Sequence, residues 1–243
     1  MLRWLFPINC ELCGEPAEHT LCAECLAELA RVPRPICLYC GAPLDGTPES
    51  TECCKSCRGL PRVYDFARSA LYGDEKNLDM LYRLKYGHAA YLARGLALAL
   101  QELWESTPEL ADYDRTVLVP VPMTRRHLCR RGYNQAAELA RFLARMRGLP
   151  MVEALRRTET TADSQTRLGA GRRYSNALHA FCAHPMYENG RRKLPEQVVL
   201  VDDVYTTGAT SRACARALRS LPGVRSVAVI TLVRARSQGA AGA

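Results

Sequence analysis

Short aliphatic runs and apolar residues at helical spacing alternate over the second half of the chain. Residues 198–201 are aliphatic without a break, which is typical of a strand buried on both faces. The next segment, residues 211–221, repeats apolar side chains every three or four positions and ends at a Pro-Gly pair, as a helix does. Residues 226–233 form a second aliphatic run. This order predicts a strand–helix–strand unit with parallel strands.

The same alternation continues upstream of residue 198. Residues 117–122 predict a strand that ends in a loop, because prolines interrupt backbone hydrogen bonding there. A helix follows residue 132, and its apolar stripe consists of Leu139, Leu143 and Met146. Residues 70–72 predict a further strand, and residues 78–86 an amphipathic helix. We therefore expect an α/β domain whose mostly parallel sheet is flanked by helices, with ligand sites at the carboxyl ends of the strands.

Length and hydropathy limit the class of protein. The chain has 243 residues, which fits a main domain of about 180 residues and a small appendage. Apolar residues make up 48% and charged residues 24%, ordinary globular values that exclude collagen-like, disordered and coiled-coil chains. The apolar run that comes nearest to a membrane span, residues 89–100, is shorter than the required ~18 residues and contains Arg94. The first seven residues are too few for a signal peptide, so we expect a cytoplasmic protein.

Four Cys-x2-Cys pairs lie within the first 57 residues. One pair presents two thiolates from a tight turn, and two pairs complete a tetrahedral four-thiolate metal shell. Because a glycine-bearing pair followed by a second pair occurs twice, we predict two zinc ribbons. The ligands of the first are Cys10, Cys13, Cys22 and Cys25, and those of the second are Cys37, Cys40, Cys54 and Cys57.

Other arrangements of these cysteines stay open at this point. Cys53 is an alternative ligand to its neighbour Cys54, and interleaved pairs or a single zinc also fit the spacing. Iron–sulfur is the minor metal alternative. Disulfides are disfavoured because the chain is neither small nor secreted. Cysteine fills every position of each shell, so the metals are structural, and residues 1–60 contain too few large apolar side chains to fold without them.

The formal charge of +8 is unevenly distributed. Residues 1–60 carry five Lys and Arg against eight Asp and Glu, whereas residues 61–243 carry 28 against 17. Within the second part, residues 115–175 alone hold 13 against four. A local basic excess suits an anionic partner such as phosphate, nucleic acid or a membrane surface. Composition accounts for it equally well, since the chain contains 29 Arg and only four Lys.

The most informative stretch is residues 197–210, Gln-Val-Val-Leu-Val-Asp-Asp-Val-Tyr-Thr-Thr-Gly-Ala-Thr. A buried strand leads to two acids, and a hydroxyl- and glycine-containing loop then leads into a helix. Backbone N–H groups and Thr hydroxyls at a helix N-terminus form a phosphate cradle. Two carboxylates beside it suit the hydroxyls of a ribose attached to that phosphate, or a Mg²⁺ shared with it.

This block resembles the 5-phosphoribosyl-1-pyrophosphate (PRPP) signature of type I phosphoribosyltransferases. The resemblance implies that the catalytic acids Asp202 and Asp203 hold the ribose hydroxyls. It implies that the 5′-phosphate is bound by Thr206, Thr207, Gly208, Ala209 and Thr210, and that Mg²⁺ accompanies PRPP. The chemistry is a dissociative displacement, in which carboxylates and phosphate anchors stabilise the charge that develops on the ribose as pyrophosphate leaves.

Two further segments carry candidate contacts to substrate or DNA. Between the strand at 117–122 and the next helix lie Arg125, Arg126, Arg130 and Arg131, placed to bind pyrophosphate or a nucleic-acid backbone, or else to form a solvated basic turn. The polar stretch 159–173 predicts a long loop, comparable to the flexible loop that closes over substrate in type I phosphoribosyltransferases. It contributes Gln165 and Arg172. For Lys85 we favour a helix C-terminal role over a ligand contact.

In their order and spacing, these motifs resemble the ComF family over nearly the whole chain. The shorter matches are Leu84–Gly87, Val119–Pro122, Arg131–Ala136 and the run from Leu155 to Gln165. The resemblance implies a double zinc ribbon over residues 1–60, a type I phosphoribosyltransferase-like domain over residues 61–233 and a flexible tail over residues 234–243. It also implies a part in natural competence, the handling of incoming single-stranded DNA at the inner face of the bacterial membrane with proteins of the competence machinery.

Three functions follow as hypotheses. The first is DNA handling by a protein that keeps an intact PRPP-binding loop. The second is an active phosphoribosyltransferase that transfers phosphoribose to an unidentified acceptor, as in nucleotide salvage, and the third is a zinc-ribbon adaptor that docks a partner protein. Single-strand binders add stacking aromatic side chains to basic grooves. Here only Tyr133, Tyr174 and Tyr187 lie in or near the basic region, so DNA binding is favoured more by charge and resemblance.

Overall fold

The computed structural model describes residues 8–44, 53–158 and 180–236. Its amino-terminal part is rich in cysteine and poor in regular structure. The elements there are the antiparallel strands β1 (Ile8–Asn9) and β2 (Pro16–Ala17), the helix α1 (Ala23–Ala27) and one 3₁₀ turn, Lys55–Cys57.

A four-stranded parallel sheet forms the centre of the remaining chain. This part of the chain contains six described strands, of which four form the sheet. In chain order they are β3 (Phe66–Tyr72), β4 (Val117–Pro120), β5 (Leu155–Arg157), β6 (Phe181–Ala183), β7 (Gln197–Tyr205) and β8 (Ser226–Arg234). The sheet has the order β3-β8-β7-β4 with every neighbouring pair parallel, and β5 pairs antiparallel with β6 outside it. The predicted parallel sheet is therefore confirmed.

Helices cover both faces of this sheet. They are α2 (Glu75–Tyr86), α3 (Leu92–Glu105), α4 (Arg125–Arg131), α5 (Gln135–Arg147), α6 (Pro185–Glu188) and α7 (Ala209–Arg219). Helices α3 and α5 pack against each other and on the sheet, whereas α7 packs on β7, β8 and the β5–β6 pair. None of the helices in the described ranges is long and apolar enough to cross a membrane.

The unbroken aliphatic run of β7 follows from its central position. Successive side chains of a strand point to opposite faces, so Val199 and Val201 enter the core beneath α3 and α5, while Val198 and Leu200 enter the core beneath α7. All four side chains are fully buried. A strand covered on both faces needs apolar residues at every position, which is the pattern that predicted it.

The structure corrects the sequence prediction at the ends of two elements. In α5, Leu139 and Leu143 are fully buried as expected, but Met146 is 39% exposed because the last turn lies at the edge of the core. Arg234, assigned to the tail, is the last residue of β8 and is buried. Residues 237–243 of that tail lie outside the described ranges.

The two halves of the cysteine-rich region pack on opposite faces of the sheet. Leu21 and Leu29 of the first half belong to the core that contains α3 and α5. Tyr39, in the second half, belongs to the core that contains α7, and its carbonyl accepts a hydrogen bond from the N–H of Ala67 in β3 (2.7 Å). The cysteine-rich region therefore contributes to both cores of the α/β domain.

A close approach between α3 and the first half of this region depends on Gly95. Its N–H donates a hydrogen bond to the Thr20 hydroxyl oxygen (3.1 Å), and a Cβ atom added at Gly95 would lie 2.4 Å from that oxygen. Thr20 is 8% exposed and has little room to move. Glycine is therefore required in mid-helix here, despite its poor helix propensity.

We predict that Gly95→Ala lowers the free energy of unfolding by about 1–3 kcal/mol, because overpacking at the contact outweighs the gain in helix propensity. Urea denaturation followed by circular dichroism measures the change. In a Thr20→Ala background the hydroxyl is gone, and the cost of Gly95→Ala should shrink or reverse. An equal cost in both backgrounds would contradict this account of the contact.

Candidate functional site

The acid pair lies on β7 where its neighbour β4 has just ended. Pro120 of β4 is paired with Val201, and the N–H of Val121 donates the last hydrogen bond to the Val201 carbonyl (2.9 Å). Asp202 and Asp203 follow directly. Strand β7 continues beside β8 as far as Tyr205, so the observed strand is longer than the one predicted from residues 198–201. Both carboxyl groups thus stand at the carboxyl edge of the sheet, the edge at which α/β proteins bind ligands.

The carboxyl groups of this pair are in different electrostatic surroundings. A carboxylate oxygen of Asp203 lies 3.2 Å from the Lys85 ammonium, and both side chains are largely buried. Asp202 accepts a hydrogen bond from the N–H of Asp203 (2.8 Å). Partial burial and the adjacent Asp203 carboxylate raise the pKa of Asp202 to about 8, with Lys85 and Arg157 opposing the shift. The Asp202 carboxyl group therefore gains from any ligand that brings hydrogen-bond donors or positive charge.

Lys85 belongs to the site, although from sequence we favoured a helix C-terminal role for it. It is in the last turn of α2, as expected, but its ammonium group pairs with Asp203. The helix-terminal explanation that we favoured from sequence is incomplete, because the packing of α2 near the carboxyl edge directs Lys85 to the acid pair.

The loop after the acids has the form of a phosphate cradle. Gly208 has a φ of +72°, and an added Cβ atom would lie 2.1 Å from the Tyr205 hydroxyl oxygen, so only glycine fits. The helix α7 begins at Ala209, whose N–H donates a hydrogen bond to the Thr207 hydroxyl oxygen (3.4 Å), and its N-cap residue Gly208 has no capping side chain. The other N–H groups of the first turn and the helix dipole favour an anion at this end of the eleven-residue helix.

A cleft of about 250 Å³ brings the acids, the loop and several donors together. Of the predicted site residues, Asp202, Asp203, Thr206, Thr210 and Arg131 line it. The structure adds Gln135 and Arg157, which the sequence did not single out as contacts, and Lys85, for which we favoured another role. Two buried side-chain atoms, Gln135 Nε2 and Arg131 Nε, have no hydrogen-bond partner in the described part of the chain. Polar atoms in this state are available to a ligand.

Other predicted residues lie elsewhere. Arg125 and Arg126 are exposed on α4 and do not line the cleft, because Thr124 caps a short helix where we expected a loop. Thr207 lines a separate cavity. Gln165 and Arg172 fall outside the described residues.

A basic aromatic surface adjoins the cleft and consists of Tyr82, Tyr86, Arg130 and Arg131. The two tyrosine rings, one helical turn apart on α2, have centroids 4.8 Å apart and are 63% and 45% exposed. The guanidinium groups of Arg130 and Arg131 lie 5.9 Å and 4.7 Å from the Tyr86 ring centroid. Lys85 and Arg131 line both the cleft and a cavity of about 300 Å³ beside this surface.

The described aromatic residues among those considered from sequence do not form such a surface. Tyr133 donates its hydroxyl hydrogen to the Leu84 carbonyl, Tyr187 is 6% exposed, and Tyr174 lies outside the described residues. The i, i+4 spacing of Tyr82 and Tyr86 was the available signal. It was overlooked because α2 is distant in sequence from the arginines.

Eight cysteines form two clusters, as predicted. Within each cluster the four sulfur atoms all lie within 4.8 Å of one another, and the members are Cys10, Cys13, Cys22 and Cys25, and Cys37, Cys40, Cys54 and Cys57. Cys54, not Cys53, completes the second cluster, and the pairs are not interleaved. The Cys37 sulfur accepts hydrogen bonds from the N–H groups of Cys40 (3.5 Å) and Cys54 (3.3 Å), which favour the thiolate form. The two clusters fit two structural zinc ions.

We predict that Cys54→Ser reduces the zinc content from two ions per chain to one, because it removes a ligand of the second cluster. Cys53→Ser is the matched control and should keep both ions, since its sulfur is outside the cluster. The number of zinc ions released per chain on denaturation shows whether Cys54 or Cys53 is the ligand. Loss of zinc in Cys53→Ser with retention in Cys54→Ser would reverse the ligand assignment.

The chain is similar to known proteins over most of its length. A family model described as a double zinc ribbon domain matches residues 1–58. The chain is 31% identical over 222 residues to the DNA utilization protein YhgH of Escherichia coli O157:H7, covering 87% of this chain and 91% of the relative. It is 28% identical to competence protein F of Haemophilus influenzae, covering 90% of this chain and 92% of that protein. It is 27% identical to competence protein ComFC of Bacillus subtilis, covering 89% and 85%.

The family model covers both cysteine clusters, and the three relatives match 87–90% of this chain, which includes most of the α/β domain. The chain belongs to the ComF family.

Proposed function

We propose that this protein serves natural competence in the cytoplasm, handling incoming single-stranded DNA, and that its cleft binds PRPP or a related phosphoribosyl ligand. The names of its relatives, competence protein F, ComFC and DNA utilization protein, support the first part. The observation that carries the proposal is the basic aromatic surface beside a cleft that combines an acid pair with a phosphate-type loop.

The basic aromatic surface has the two features that single-stranded DNA requires. Exposed rings accept a stacked base, and base–aromatic stacking is sequence-tolerant because every base has a π-face. The guanidinium groups of Arg130 and Arg131 neutralise phosphates while they flank Tyr86. Tyr82 and Tyr86 are more exposed than is usual for large aromatic side chains, and binding would cover them.

The cleft suits a phosphorylated ribose. The N–H groups at the start of α7 and the hydroxyls of Thr206 and Thr210 would hold a 5′-phosphate. Ribose hydroxyls would donate hydrogen bonds to Asp202 and Asp203, and donors of this kind offset the burial and the repulsion from Asp203 that raise the pKa of Asp202. Arg131 and Gln135 carry unpartnered N–H groups for the pyrophosphate oxygens. Mg²⁺ would arrive bound to the pyrophosphate and neutralise part of its charge.

The two ligands would compete for shared residues. Lys85 and Arg131 line both the cleft and the cavity beside Tyr86, so a DNA phosphate at that cavity and a pyrophosphate in the cleft would use the same cations. We expect PRPP to displace single-stranded DNA from these groups. Docking of the protein to competence proteins at the inner membrane remains a prediction.

Transfer of phosphoribose to an acceptor is the second candidate function. It is favoured by the intact acid pair beside the glycine loop, since partly buried carboxylates stabilise the positive charge that develops on the ribose ring. Release of pyrophosphate that depends on an added nucleobase would distinguish a transferase from a protein that only binds PRPP.

We predict that Asp202→Asn combined with Asp203→Asn abolishes binding of Mg-PRPP in isothermal titration calorimetry, because the acceptors for the ribose hydroxyls are lost. The fold should remain.

Because the pKa of Asp202 is raised in the folded state, wild-type stability falls as pH rises from about 4 to about 8. Asp202→Asn removes this loss, so its melting temperature should equal or exceed that of the wild type at pH 8. Unchanged PRPP affinity in the double variant would refute the assigned role.

We predict that Arg130→Ala combined with Arg131→Ala weakens binding of a labelled single-stranded oligonucleotide and lowers the slope of log Kd against log salt by about 1–2. Tyr86→Ala should weaken binding by about 1–3 kcal/mol without altering that slope, because stacking is not ionic. Arg125→Ala with Arg126→Ala, on the same helix but away from the tyrosines, is the control. Equal effects from the two arginine pairs in fluorescence anisotropy would indicate a diffuse basic surface instead.

A further inference from the structure

A second and larger cavity lies between the phosphate-type loop and the second cysteine cluster. Its volume is about 650 Å³, and it shares only Thr206 with the acid-lined cleft. Its wall contains three arginines, Cys40 and Cys57 of the second cluster, and no carboxylate among the described residues. The arginines are Arg212, Arg234 and Arg236. We call this space the arginine cavity.

Arg212 is the most informative member of the arginine cavity. It is 4% exposed, and its Nε atom has no hydrogen-bond partner in the described part of the chain. No ion pair joins it to a carboxylate within the described ranges. A guanidinium group is always charged, and burying it without a counter-charge is unfavourable. The position therefore calls for an anion from outside the chain.

Compensation by the zinc-bound thiolates accounts for Arg234 but leaves Arg212 unexplained. Arg234 is 9% exposed and donates hydrogen bonds to the carbonyl (2.6 Å) and sulfur (3.7 Å) of Cys40, while its guanidinium lies 4.4 Å from the centroid of the Tyr205 ring. Arg212 makes no hydrogen bond to a cysteine sulfur among the described residues. Arg236 is exposed, and its guanidinium lies 5.3 Å from the centroid of the Tyr72 ring.

We propose that the arginine cavity is a second anion site, which binds the phosphate group of a mononucleotide. Guanidinium groups recognise phosphate through paired N–H donors, and Arg212 and Arg234 are held in place by burial. The volume exceeds the needs of inorganic phosphate and lies in the range of small-molecule sites. Leu60, Tyr205 and Ala235 supply an apolar wall for the base. The site does not require PRPP binding in the cleft.

The arginine cavity is also connected to the second cysteine cluster. The Tyr205 hydroxyl is hydrogen-bonded to the Tyr64 hydroxyl (2.6 Å), and the Tyr64 ring stacks on Tyr39 with centroids 4.4 Å apart. Tyr39 lies between Cys37 and Cys40 in the cluster. Zinc removal would disturb this stack, so nucleotide binding in the arginine cavity should depend on bound zinc.

The test uses the full, zinc-loaded chain with adenosine 5′-monophosphate as the probe, and adenosine and inorganic phosphate as comparisons. We expect the monophosphate to bind in calorimetry and to raise the melting temperature, and adenosine to do neither. Arg212→Met should reduce affinity at least tenfold. Without ligand it should keep or raise the melting temperature, because an unpaired buried charge is removed. Arg216→Met, exposed one turn further along α7, is the matched control and should bind as the wild type does.

Several outcomes would overturn the proposal. A lower melting temperature of ligand-free Arg212→Met would mean that the chain itself satisfies this charge. Loss of binding in Asp202→Asn with Asp203→Asn, but not in Arg212→Met, would place the nucleotide in the cleft. Equal protection by inorganic phosphate, or binding of oligonucleotides alone, would reject a mononucleotide site. If Arg212→Met does not fold, Arg236→Ala leaves the core intact and should still weaken binding about threefold.

Discussion

Strand β7 is hydrogen-bonded to a parallel strand on each side, and its register places two acids and a glycine loop at one edge of the sheet. Because β4 ends at Pro120, beside Val201, the backbone of Asp202 and Asp203 is held by β8 alone, and space opens where β4 is missing. The cleft occupies that space. The chemistry of the site thus depends on a difference in strand length that is fixed by backbone pairing.

The cysteine clusters stabilise this arrangement from both faces. A small domain with few apolar side chains cannot fold alone, and metal ligation supplies the missing free energy. In this chain the segments that carry the cysteine clusters also complete the cores on either side of the sheet, through Leu21 and Leu29 on one face and Tyr39 on the other. Zinc is therefore expected to stabilise the ligand sites as well as the cysteine-rich region.

The sequence predicted the placement of local motifs better than contacts between distant segments. The acid pair, the Thr206–Thr210 loop and the membership of the cysteine clusters are each encoded within a short segment, so spacing and strand pattern were sufficient. Lys85 and Tyr86 escaped because they are on α2, and only tertiary packing brings that helix to the carboxyl edge. The sequence analysis wrongly placed Arg125 and Arg126 at the site, because Thr124 caps a helix on which both side chains are exposed.

The loop at Thr206 separates two cavities that differ in their acidic groups. On one side, two carboxyl groups share a cleft with Lys85, Arg131 and Arg157, and burial together with the Asp203 carboxylate raises the pKa of Asp202, so the Asp202 carboxyl group favours hydrogen-bond donors and cations. On the other side, three arginines line a cavity in which Arg212 has no anionic partner among the described residues. Gly208 packs against the Tyr205 hydroxyl, and Tyr205 forms part of the arginine cavity. An anion bound beside Arg212 would therefore act on the same backbone turn that cradles a phosphate in the cleft. Coupling between the two sites requires no large movement, only a change in how firmly one five-residue loop is held.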